Sequence, residues 1–93
     1  MASNSHIISY KFENILYLRL TGDFDEGSAH ELINTLTKHD TGFGNIFIDT
    51  NNIETIYPFG RDVFQKNLDS IKMQFKNFFI IGVNKYKFEQ GLE

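Results

Sequence analysis

From His6 to Phe12 the side chains alternate, with Ile8, Tyr10 and Phe12 to one side and Ile7, Ser9 and Lys11 to the other, which is the period of a half-exposed strand. Asn14 to Thr21 repeats the pattern and sets Leu16, Leu18 and Leu20 opposite Ile15, Tyr17 and Arg19. Only Glu13 and Asn14 separate the two runs, so a tight hairpin is expected, with Asn14 taking the turn conformation. Thr21-Gly22-Asp23-Phe24-Asp25 breaks the alternation, and from Ser28 the period becomes helical, with Ala29, Leu32, Ile33 and Leu36 on one stripe. Ser28 followed by Glu31 has the spacing of a capping box, worth about 1 kcal/mol, while Asp25 offers a cap one turn earlier. Lys38 and His39 suit the negative end of that helix, and Gly42 or Gly44 terminates it.

Asn45 to Asp49 is a short, continuously apolar strand, expected in the middle of a sheet and followed by a polar loop. Pro58 opens a second helix that carries Phe59, Val63, Phe64, Leu68, Ile71 and Phe75 inward and leaves Arg61, Asp62, Lys66, Asp69 and Lys72 outward. The missing N–H of Pro58 has no intrahelical partner in a first turn, and the ring pushes Tyr57 out of the helical region, making it a poor cap. Phe78 to Val83 reads as a strand buried on both faces, and Asn84 to Gln90 starts a further helix. The order is β-β-α-β-α-β: an α/β domain with a mixed, mostly parallel four-stranded sheet and, because crossovers are right-handed, both long helices packed on one face. Partners of such sheets are met at the carboxyl ends of strands, which directs attention to Asn45–Phe64.

At 93 residues the chain is expected to form one domain over 1–93, burying about 60 to 70% of its unfolded surface. Residues 1–5 read as a flexible tail and 91–93 as a cloning remnant or flexible end. Hydrophobic residues make up 41%, with ten Phe and four Tyr, so disorder is excluded and bulky rings fill the core. No Cys is present, which removes disulfides, a thiolate nucleophile and cysteine-ligated zinc. A net charge of −3 without a Lys/Arg run argues against nucleic acid as a partner. Neither a secretion signal nor an apolar run of the roughly 18 to 20 residues of a membrane span is visible, so a cytoplasmic location without membrane insertion is expected.

With these elements placed, the chain resembles the STAS domain, the module shared by bacterial anti-sigma-factor antagonists and the cytoplasmic tails of sulfate-type transporters. The resemblance covers most of residues 7 to 84. It rests on Leu18-Arg19-Leu20-Thr21-Gly22-Asp23-Phe24-Asp25, on the helix Ser28-Ala29-His30-Glu31-Leu32, and on Ile46 to Gly60, similar to a strand ending in Asp followed by a loop and Asp-Ser-Ser-Gly. Gly22 and Asp25 match the family's first loop, Asp49 the acidic end of its third strand, and Gly60 the glycine of its switch motif. Where the family has its acidic and hydroxyl residues, including the phosphorylation site, this chain has Tyr57, Pro58 and Phe59. Regulation by phosphorylation at that site is therefore not expected. Pro58 also removes an anion-binding donor there, and Asp62 places a negative charge in the first turn. The family usually adds a helix, a strand and a helix after the fourth strand.

The candidate chemistry is that of a binding surface. Tyr57, Pro58 and Phe59 beside Arg61 combine residue types of binding hot spots, although Phe59 also suits the core and Tyr57 a cover over the loop. Asp23, Asp25 and Glu26 form one acidic group before a helix; turn and capping roles fit them better than a metal site, which needs more oxygen ligands at defined spacing. His6, His30 and His39 are scattered, and no hydrolase, zinc-protease or phosphate-loop string occurs.

The reading is a non-enzymatic protein-interaction module without cofactor or metal, meeting its partner through Asp23, Asp25, Tyr57, Pro58, Phe59, Gly60 and Arg61, on loops 22–28 and 53–62, and through the exposed face of the second helix. The resemblance implies an anti-sigma-type kinase or a transporter subunit as that partner. The alternative is an accessory or ligand-sensing subunit of a transport system, and a third reading is an enzyme using Asp23, Asp25 and Asp49. An apolar fourth strand at a sheet edge is a pairing hazard, so a homodimer through that edge, or cover from Lys85 to Gln90, is expected.

Overall fold

The computed structural model describes residues 6–38, 44–75 and 77–90. Two strands, β1 (His6–Phe12) and β2 (Ile15–Phe24), are followed by α1 (Glu26–Lys38), β3 (Asn45–Ile56), α2 (Pro58–Gln74), β4 (Asn77–Ile81) and α3 (Lys85–Gln90). The sheet order is β1-β2-β3-β4, with β1 antiparallel to β2 and both other pairings parallel. β3 is thus central and β4 lies at an edge, as the pattern predicts. The expectations for residues 1–5, His39, Gly42 and 91–93 fall outside the described residues.

One face of the sheet carries Leu16, Leu18 and Leu20 from β2, Ile46 and Ile48 from β3, and Ile80 from β4, all buried. Against them pack Ala29, Leu32 and Leu36 of α1 and Phe64 and Ile71 of α2, and the two helices also touch each other. The alternation of period two and the stripe of period 3.6 therefore meet in one apolar layer.

Four local expectations are corrected. The left-handed turn residue of the hairpin is Glu13 (φ 53°), not Asn14, whose carbonyl instead accepts the Gly44 and Asn45 amides at 2.8 and 3.1 Å and ties the hairpin to the start of β3. β3 does not stop at Asp49 but runs to Ile56, so the predicted loop is strand, paired with the far half of β2 across two irregularities in register. β4 pairs no further than Asp49, so the outer half of β3 has only β2 beside it and exposes Asn51, Asn52, Glu54 and Thr55; those polar residues read as loop although they are strand. β4 itself ends at Ile81 and is covered on one face only: Ile80 is 3% exposed and Phe79 43%.

After β4, Gly82 adopts φ 109° and lies against Thr50 and Asn51. Thr50 Oγ1 donates to the Ile81 carbonyl at 2.8 Å, and Asn84 Nδ2 donates to the Thr50 and Ile53 carbonyls at 2.8 and 3.2 Å, launching α3 back over the molecule. Phe88 of α3 is 1% exposed, its ring 4.7 Å from those of both Phe24 and Phe64. Gln65 fastens the helix by donating to the Phe88 and Glu89 carbonyls at 3.1 and 2.6 Å.

Candidate functional site

The carboxyl ends of β2 and β3 deliver their chains to the starts of α1 and α2, side by side. Asp25, not Ser28, caps α1: the Ser28 amide donates to Asp25 Oδ1 at 2.9 Å, and the Asp25 amide donates back to Ser28 Oγ at 3.3 Å. The box is therefore one turn earlier than the Ser28/Glu31 spacing suggested, with Ser28 as its third helical residue. The Ser28 hydroxyl lies 2.9 Å from Asp25 Oδ1 and 3.0 Å from the Asp23 carbonyl, which folds the acidic turn onto the helix. Hydrogen bonds from the Ser28 amide and hydroxyl hold the Asp25 carboxyl below the usual aspartate range. β2 extends through Phe24, so the predicted loop 22–28 shrinks to Asp25 between strand and helix.

Tyr57 is the cap residue of α2, extended at φ −84° and ψ 143° with no side-chain cap bond, and Pro58 opens the helix. Its amide donates to the Phe24 carbonyl at 2.9 Å. Gly60 presses on the same segment: a Cβ there would come within 2.6 Å of the Asp25 carbonyl carbon and oxygen and 2.8 Å of the Phe24 oxygen. The two helix starts are therefore locked backbone to backbone, and Asp23, Asp25, Tyr57, Pro58, Phe59, Gly60 and Arg61 share one elbow.

Within it Phe59 does not enter the core; it is 75% exposed, and Tyr57 46%. The buried stripe of α2 runs through Gly60, Phe64 and Ile71, which turns the neighbouring Phe59 to solvent. Arg61 is half-buried, with its Nε enclosed and without a hydrogen-bond partner among the described residues. No acidic residue stands in the first turn of α2; Asp62 is the fifth residue, so the charge predicted there is one turn further on.

Asp49 is not part of this elbow. It lies seven residues before the end of β3, about 23 Å along the strand, so it does not join Asp23 and Asp25 in one cleft. Its buried carboxylate accepts a short hydrogen bond from the Tyr17 hydroxyl and one of 2.9 Å from the Asn51 amide, with Arg19 Nε at 3.9 Å. The bond to Asp49, burial and the carboxylate's charge raise the Tyr17 phenol above its ordinary 10.0. Among the described residues no three His, Asp or Glu side chains gather as a metal site, and no helix is long and apolar enough to cross a membrane.

Sequence reasoning missed two features. Phe88 lies on a helix of only six residues, too short for an apolar stripe to develop. The Tyr17–Asp49 contact joins residues 32 apart, and its only sequence trace is a polar residue at the end of an apolar run.

No protein-family profile and no curated protein matches this chain. Solved structures do. A crystal structure of a protein called Mglu superposes with a TM-score of 0.71 at 16% identity over 78% of this chain, which spans only 18% of the Mglu chain. The anti-sigma factor antagonist SpoIIAA, in its unphosphorylated form, gives 0.67 at 10% identity over 91% of this chain and 78% of its own. An uncharacterised protein of the DUF3478 family from Shewanella loihica, described as having a SpoIIAA-like fold, gives 0.65 at 17% identity over 94% of this chain and 75% of its own. These likenesses are of fold.

Proposed function

We propose that the chain, which has a SpoIIAA-like STAS fold, is a cytoplasmic, non-enzymatic protein-binding module whose partner docks on the elbow formed by Asp23, Asp25, Tyr57, Pro58, Phe59, Gly60 and Arg61. The observation that carries this is the outward Phe59, three-quarters exposed beside a half-exposed Tyr57 on a backbone held to Phe24 and Asp25. Exposed rings with a nearby arginine are the residue types that concentrate binding energy, and a rigid mount reduces the entropy lost on docking. SpoIIAA antagonises an anti-sigma factor, and an anti-sigma-type kinase is the partner class this reading favours. With Tyr57, Pro58 and Phe59 in place of serine or threonine, and one helix amide removed by Pro58, the module signals by occupancy and not by accepting a phosphoryl group.

The test is a titration of the ¹⁵N-labelled chain with a purified anti-sigma-type kinase encoded in the same genome, with ATP present. Shifts centred on residues 23–25 and 57–61, an affinity loss of about tenfold or more in Phe59→Ala, and no phosphate transferred support the reading. Phosphoryl transfer to the chain, or shifts confined elsewhere, overturn it. The cytoplasmic domain of a transporter, and inorganic phosphate, serve as separate titrants for the transport-subunit alternative.

A further inference from the structure

The strand positions that alternate with the core positions reach the opposite face of the sheet, which no helix among the described residues covers. They form a grid set by the pairing register. One row is Tyr10, Tyr17, Phe47 and Phe79, one ring per strand; the next is Ile8, Arg19, Asp49 and Ile81. Successive ring centroids are 6.0, 6.4 and 5.2 Å apart, and Tyr10, Phe12, Ile8 and Phe79 are exposed. A cluster of exposed rings and aliphatic side chains of this kind marks an interaction surface.

The ring geometry narrows the occupant. Phe47 and Phe79 stack on each other at 21° and so use their faces on one another, while Tyr10 meets Tyr17 edge-on at 65° and has Arg19 over its ring. A platform for nucleobases or sugars needs ring faces turned outward. Ring edges standing in a row suit interdigitation with a second apolar layer, as between packed sheets. The polar stretches 1–5 and 91–93 hold too few apolar residues to form that layer.

The charges point to a second copy. Arg19 lies 3.9 Å from Asp49 and 5.4 Å from the Tyr10 ring centroid, so the face is electrically balanced although the chain carries −3. We propose that two copies pack face to face about a two-fold axis parallel to the strands and passing between β2 and β3. That operation sets β2 over β3 of the other copy and β1 over its β4. Tyr17 then faces Phe47, Tyr10 faces Phe79 and Ile8 faces Ile81, twice over, so each ring meets a ring and each aliphatic side chain another, while Arg19, compensated by the buried Asp49 of its own chain, brings no net repulsion. An isologous contact requires a self-complementary patch of this kind. Four strands at about 4.8 Å give a footprint about 19 Å wide, so the contact is a small one and the dimer a reversible one. This inference does not depend on the elbow, and it is distinct from pairing through the β4 edge.

The chain's lack of cysteine makes the test direct. Tyr10 and Phe79 lie on opposite outer strands, three spacings or about 14 Å apart, too far for a disulfide within one chain, which needs Cα atoms within about 7 Å. The expected result is a dimer by sedimentation velocity, linked between copies in Tyr10→Cys/Phe79→Cys, but in neither single variant, by a thiol-specific cross-linker long enough for opposed sheets about 10 Å apart and too short for the roughly 14 Å within one chain. Tyr10→Lys, or Phe12→Lys at an equally solvent-facing position, weakens it by about tenfold or more while circular dichroism is unchanged. A monomer up to about 300 µM overturns the proposal, as does a dimer insensitive to both lysines. Linkage through Phe79→Cys alone overturns it too, since that is the signature of paired β4 edges.

Discussion

Gly60 sits so close to Asp25 that the missing Cβ, if added, would lie 2.6 Å from the carbonyl carbon and oxygen of that residue. The elbow depends on this approach, because it holds the start of α2 against the cap of α1.

Gly60→Ala is therefore expected to destabilise the fold by about 1 to 3 kcal/mol, since backbone atoms on both sides must part, an overpacking penalty larger than the roughly 1 kcal/mol that alanine gains in a helix. Gly27→Ala is the contrast. Its Cβ would meet only Asp25 Oδ1, at 3.5 Å, an ordinary contact, so that variant is neutral or more stable. Urea unfolding of both checks the pair, and equal losses would contradict the argument.

The cap gives a pH dependence with a definite sign. Because the Asp25 carboxyl is held below its ordinary 3.8, its contribution is complete above that value and is lost as pH falls through the depressed folded value. Asp25→Ala is expected to lose about 1 kcal/mol at pH 7, and Asp25→Asn, which still caps, much less; both flatten the acid limb of the stability curve. Denaturant melts between pH 2 and 7 measure this.

Tyr17 works at the other end of the scale. Its folded phenol titrates above 10.0, so the stability it supplies is present below that pH and declines as pH rises toward the folded value. Tyr17→Phe leaves the buried Asp49 carboxylate short of one donor, an expected loss of about 1 to 3 kcal/mol at pH 7. Absorbance titration should show a tyrosine midpoint above 10.0 vanish in this variant.

Phe88→Ala removes a ring enclosed by Phe24 and Phe64 and is expected to cost about 3 to 5 kcal/mol, enough to undock α3 or unfold the domain. Phe59→Ala, by contrast, should stay within about 0.5 kcal/mol of the parent, because its ring is outside the core. Thermal melts of the two variants separate an interior ring from a displayed one.

Much of this architecture was legible in the order of the residues. The leucines of β2 at every second position, the stripe of Ala29, Leu32 and Leu36, and Pro58 before a long amphipathic run define local periods, and a local period is a property of neighbours in the chain. Element order, parallel pairing of the later strands and helices on one face follow from those periods together with the handedness of crossovers. The placement of Phe59 and Phe88 was decided elsewhere. Both are phenylalanines at helix ends, yet one is displayed and the other enclosed, because Gly60 takes the inward position at the start of α2 and the turn at Gly82 swings α3 back between Phe24 and Phe64. The second half of β3 escaped detection for a similar reason: its polar residues are strand only because β2 extends beside them. Tyr17, Asp49 and the rings of the open face came together through register alone, the alignment of strands whose residues lie tens of positions apart, and contact of that kind belongs to the packed molecule and not to any stretch of its sequence.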